Sequence, residues 1–88
     1  MDGYPRECRL ALELIERLGR PVDALLLQQN ELLRAAAHKY ALFYDGDNAF
    51  MLKMQAVVSE RPYRLTLSMA LAVLRVMQRE MAPVEVGA

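Results

Sequence analysis

The chain has no tryptophan, two phenylalanines, a single cysteine, a single histidine and no net charge. Each shortage excludes something. A lone Cys8 cannot build an internal disulfide framework and fits a reducing cytosol. With His38 as the only histidine, thirty residues from Cys8, no spacing resembles a zinc site. Eleven basic residues balance eleven acidic ones, so no global field draws the chain to nucleic acid or to an anionic membrane. No uninterrupted apolar run reaches the ~18–20 residues of a membrane span, since Arg75 breaks the best candidate. The N-terminus, MDGYPREC, lacks the basic segment and apolar core of a signal peptide. A cytoplasmic protein with no cofactor and no metal is the expectation.

What is present points to helices. Eighty-eight residues suit a single domain over 1–88, with 1–3 and 82–88 as flexible ends. The apolar fraction is 55%, drawn largely from Leu, Ala and six Met, all good helix formers. Nine of the eleven basic residues are Arg, the codon signature of a GC-rich bacterial genome. The fold class expected is all-α: a small bundle of four helices, with long helices 2 and 4 and shorter helices 1 and 3.

Proline and glycine set the boundaries. Pro5 suits the first helical position, and Tyr4, Cys8, Ala11, Ile15 and Leu18 recur at helical spacing until Gly19 stops the run. Pro21 restarts the chain, and one long helix is expected from Val22 to about Tyr44. Its apolar arc holds Val22, Leu25, Leu26, Leu32, Leu33, Ala36, Ala37, Tyr40, Phe43 and Tyr44, with Leu27 and Leu42 on the far side. Gln29 falls inside that arc, where a polar group needs a partner. Asp45-Gly46-Asp47-Asn48 is turn chemistry at every position, and Asp47 or Asn48 can cap a third helix over roughly 49–60. Arg61-Pro62 forces a bend before the fourth helix.

That fourth helix, Tyr63 to Met81, is apolar around most of its circumference. Leu65, Met69, Ala72 and Val76 form one seam; Tyr63, Leu67, Ala70, Leu74, Met77 and Met81 form a second. Two seams imply two packing partners. If the first faces the core, then Leu67, Leu71, Leu74, Met77 and Met81 are partner-binding residues, flanked by Arg64, Arg75 and Arg79. Burying those five apolar side chains would be worth on the order of 10 kcal/mol before association costs. The alternative is that helix 4 is central and touched by the other three.

Sites for chemistry are scarce. Cys8 lies on an apolar face, where a thiol behaves as a small hydrophobe. The Asp45 loop fails as a calcium loop, since glycine comes second and the twelfth position is Ala56 rather than Glu. His38, on the polar side of helix 2, resembles the phosphoryl acceptor of histidine phosphotransfer domains, which present such a residue on a bundle helix. The run His38-Lys39-Tyr40-Ala41-Leu42 departs from that family's pattern, lacking the Lys at i+3 and the Gly beyond. The Arg64/Arg75/Arg79 stripe could face phosphate, yet a nucleic-acid surface wants a net basic face with interleaved aromatics.

The functional expectation is therefore a non-catalytic protein–protein interaction module. It would be a small bacterial regulator, adaptor or chaperone acting by helix–helix contact on another protein or on a second copy of itself, as a homodimer. A phosphotransfer module using His38 is the alternative, and a DNA-associated factor using the Arg stripe a second one.

Overall fold

The computed structural model describes residues 4–60 and 65–81. Every element among them is helical: α1 (Arg6–Leu18), α2 (Ala24–Gln29), α3 (Glu31–Leu42), α4 (Ala49–Glu60) and α5 (Leu67–Met81). The all-α class is as expected, but the described residues form five helices rather than four. Helix α3 is the hub and touches each of the other four. The radius of gyration, 12.4 Å, is that of a folded chain of this length.

The local signals mostly act as their chemistry requires. Gly19 ends α1 in the left-handed region (φ 67°), where a Cβ would be strained. Pro5 takes the N-cap position one residue before the helix, in extended geometry, and its carbonyl accepts the Cys8 N–H at 3.1 Å. Asn48, not Asp47, caps α4, its Oδ1 accepting the Met51 N–H at 3.1 Å. Thr66 caps α5 through its Oγ1, which accepts the Met69 N–H at 3.1 Å, so the last helix begins at Leu67 rather than at Tyr63. The bend expected at Arg61-Pro62, and with it Tyr63 and Arg64, lies outside the described residues.

The largest correction concerns the expected long helix over 22–44. It is two helices, divided at Asn30, whose backbone is extended (φ −120°, ψ 106°). The asparagine serves both ends of the break: its N–H donates to the Leu27 carbonyl at 3.3 Å, and its Oδ1 accepts the Leu33 N–H at 3.0 Å. Arg34 completes the joint, its guanidinium donating to the carbonyls of Leu27 (3.3 Å) and Gln28 at the end of α2. A cation there also meets the negative end of the helix dipole. Asn side chains compete with helix by bonding nearby backbone, and here that competition wins.

The break changes which residues face inward. Leu27, expected on the far side, is fully buried, whereas Leu25, expected in the apolar arc, is 61% exposed. Gln29 is exposed and needs no buried partner. Phe43, expected inside, caps α3 and is half-exposed.

The core lies around α3. Ala11 of α1 and Ala36 and Ala37 of α3 have no exposed surface, and these small side chains let the two helices approach closely. Cys8 packs in the same seam with its Sγ 3.7 Å from the Ala36 carbonyl oxygen. Met51, Met54 and Val58 bring α4 onto the core. At one end of the bundle Tyr4 stacks on Tyr40 (ring centroids 4.7 Å apart), and Tyr44 meets Tyr40 edge-on at 5.8 Å. All three phenols are satisfied. Tyr4 donates to Asp45 Oδ1 at 3.1 Å, Tyr40 donates to Glu80 Oε1 at 3.1 Å, and Tyr44 Oη accepts the Asn48 N–H at 3.0 Å. Gly46 makes room for this arrangement, since a Cβ there would sit 2.5 Å from Tyr44 Oη.

Candidate functional site

Tyr40 fixes the relation between the first and last helices. It stacks on Tyr4, just before α1, and bonds Glu80, at the end of α5. So α1 starts where α5 finishes, and the two run in opposite directions beside α3. They do not close on each other. Between them lies a groove of about 920 Å³. Its floor is built from Ile15, Val22 and Leu74, all buried, and from the half-buried Leu12, Leu71 and Met81. Arg9, Glu13, Glu16 and Arg20 stand along the α1 side, and Arg75 and Gln78 along the α5 side.

Some of the molecule's charges are paired within the chain. Arg20 pairs with Asp23 at 3.7 Å across the turn into α2. Elsewhere Lys39 Nζ bonds Glu7 Oε2 at 3.0 Å, tying α3 to α1. The Glu7 carboxyl is held below its ordinary range, first by its own backbone N–H and then by Lys39. Glu13, Glu16 and Arg75 are different: among the described residues no hydrogen bond or ion pair engages their side chains, and all three are exposed. Among the described residues the groove lining contains no Cys, Ser, Thr, His or Asp. What it offers is apolar area between charged walls, with both signs on the α1 side and Arg75 on the α5 side.

A second, smaller groove of about 710 Å³ runs between the start of α3 and the start of α5. His38 and Leu67 line it with Glu31, Leu32, Arg34 and Lys39. His38 is thus half-buried rather than presented to solvent on an open helix face. Burial first, and the neighbouring Lys39 charge second, push its imidazole below the ordinary value and so favour the neutral ring. Arg34 is committed to the carbonyls at the end of α2, and Lys39 to Glu7.

The expected partner-binding residues are dispersed by the fold. Leu74 and Met77 are buried in the chain's own core, at 1% and 0% exposure, together with Ala70 of the same seam and Val73, which belonged to neither. Of the seam expected to face the core, Val76 is buried, while Leu65, Met69 and Ala72 are half-buried. The core direction of α5 therefore falls between the two seams, because α3 and α2 both pack on it. Leu71, Arg75 and Met81 meet in the α1/α5 groove, Leu67 stands in the His38 groove, and Arg79 is exposed outside both. Arg64 lies outside the described residues, so the Arg stripe is described only through Arg75 and Arg79.

Half of the groove was missed from sequence. Leu12, Glu13 and Glu16 belong to α1, which reads as an ordinary amphipathic helix; the apolar Leu12 beside its main face was the available signal. No protein-family model, no curated protein and no solved structure matches this chain. No described helix is long and apolar enough to cross a membrane.

Proposed function

We propose that this chain is a non-catalytic protein–protein interaction module, a small regulator, adaptor or chaperone, whose docking surface is the α1/α5 groove. One observation carries the reading: an open, apolar-floored channel flanked by Glu13, Glu16 and Arg75, charges that the described part of the chain leaves without internal partners. A partner helix laid along it would set a row of side chains on that floor. Leu12, Leu71 and Met81 would then complete their burial on docking, which is how a helix-in-groove contact gains its affinity.

The test uses the purified full chain and a Leu71→Glu variant, both verified as folded by circular dichroism. A protein retained by the parent chain is identified by mass spectrometry, purified and titrated against both forms. The reading requires that Leu71→Glu weaken its binding by at least roughly tenfold, since a carboxylate would be buried against Leu12 and Met81. Equal affinity for both forms would remove the groove from the function.

A further inference from the structure

We infer that the Asn30 joint is a hinge through which two copies of this chain exchange α1 and α2, with α2 and α3 fused into one straight helix in each. The exchange goes beyond the docking role of the groove and stands on a different part of the fold. It begins with what holds the bend. A straight helix pairs each N–H with the carbonyl four residues back, so the Glu31 amide would take the Leu27 carbonyl and the Leu32 amide the Gln28 carbonyl. Those are the two carbonyls that the Arg34 guanidinium holds now. The Asn30 side chain likewise holds the Leu33 amide, which a straight helix would give to the Gln29 carbonyl. The bend thus uses two side chains in place of backbone bonds that the straight form makes by itself. From Ala24 to Ala37 every residue except Asn30 is a strong helix former, so nothing else in the run opposes straightening.

The position of the joint makes a second copy the partner. Among the described residues the helices before Asn30 are α1 and α2, which pack on α3 and α5; the chain after it supplies that platform, together with α4. A single residue connects the two parts. Straightening carries α1 and α2 off their own platform and takes the buried Cys8, Ala11, Ile15 and Leu27 out of the core they fill. The surface that fits them is the platform of another copy, which is made of the same residues, and the exchange is reciprocal. No new complementarity is needed: each contact of α1 and α2 is remade between chains, the Lys39–Glu7 pair included. Each dimer then has two α1/α5 grooves, each with α1 from one chain and α5 from the other.

The Lys39–Glu7 contact supplies the test, because a carbodiimide joins an amine to a carboxylate that touches it. Equal amounts of isotope-labelled and unlabelled chain are mixed at high concentration, warmed near the unfolding midpoint, cooled, separated by size exclusion and cross-linked. A dimer fraction is expected beside the monomer. In the monomer the Glu7–Lys39 link lies within one chain, so both of its peptides carry the same label. In the dimer it joins two chains, and mass spectrometry should find mixed labels in roughly half of the links. Asn30→Ala and Asn30→Gly, both verified as helical by circular dichroism, then test the joint itself. Both lose the cap, but alanine favours the straight helix. With two joints per dimer, the alanine variant should dimerise about thirtyfold more tightly than the glycine variant. A parent chain that stays monomeric under this treatment overturns the inference, and so do same-label links throughout the dimer. Equal dimerisation of the two variants would also overturn it, since residue 30 would then not be the hinge.

Discussion

The tyrosine end of the bundle and the α1/α5 groove are both bounded by the same two helices, yet they are finished in opposite ways. At the tyrosine end, each ring packs on another and each phenol has a bonded partner, from Asp45 to Glu80 to the Asn48 backbone. In the groove, leucines stop half-buried and the flanking Glu13, Glu16 and Arg75 have no partner among the described residues. The contrast separates holding from binding. Polar groups satisfied within the chain stabilise one arrangement, because breaking them strands a buried donor or acceptor. Charges left at a rim cost little in water and remain available to a partner.

If this division is right, substitutions at the two places should differ in kind. The largest effect is expected at Tyr40, which is 1% exposed and touches both Tyr4 and Tyr44. Tyr40→Ala should cost about 3–5 kcal/mol in urea unfolding, as truncations of large buried aromatics do. The gentler Tyr40→Phe isolates the phenol. Burial, with Tyr4 and Glu80 nearby, pushes the Tyr40 hydroxyl well above its ordinary value of 10.0. The unfolded chain therefore loses this proton first as pH rises, and stability falls above about pH 10 while the folded phenol stays protonated. Tyr40→Phe should lose about 1 kcal/mol at neutral pH and show a shallower alkaline decline. An unchanged alkaline slope would mean that burial does not hold this proton. Tyr4, whose hydroxyl is also raised by burial, keeps part of the decline in place.

Next in size is a pair on one helix. Leu74 and Leu71 are three residues apart on α5, but Leu74 is 1% exposed and Leu71 half-buried in the groove. Leu74→Ala should destabilise the chain by about 2–5 kcal/mol and Leu71→Ala by about 1 or less, both read from urea midpoints. Similar losses at the two positions would show that the groove floor is core, and the comparison would collapse.

The smallest expected effect lies at the joint that sets the shape of both regions. Asn30→Ala removes the cap on α3 and should cost about 1 kcal/mol. Because alanine favours helix, α2 and α3 should also tend to merge, with Leu27 turning outward. Hydrogen exchange at the Glu31 and Leu32 amides reads that change directly: they open α3, and slower exchange is the expected result, because a continuous helix gives each an intrahelical carbonyl.

Several features of the fold were legible from residue chemistry alone. Gly19, Asn48 and the bounds of α4 at Ala49–Glu60 follow from turn and cap preferences, which act within four residues of chain. The Asn30 break was not seen because the run from Val22 to Tyr44 keeps a near-helical apolar rhythm across it. The asparagine stood in a stretch of Leu and Gln, and the Arg34 that supports the break sits four residues away, where it reads as an ordinary polar-face residue. The groove was half-legible: its α5 residues stood out by excess apolar area, whereas its α1 residues did not.

The amino-acid sequence by itself determined that this chain is all helix, where several of its helices start and stop, and that α5 carries more apolar surface than one contact can cover. Those are consequences of local propensity, capping and periodicity. Only the tertiary structure decided which of those apolar residues were spent inside. Packing α2 and α3 together against α5 turned the core direction to Ala70, Val73, Leu74 and Met77, between the two seams. It left Leu71 and Arg75 facing α1 across an open channel, because the angle between neighbouring helices is set by contacts among side chains far apart in the chain.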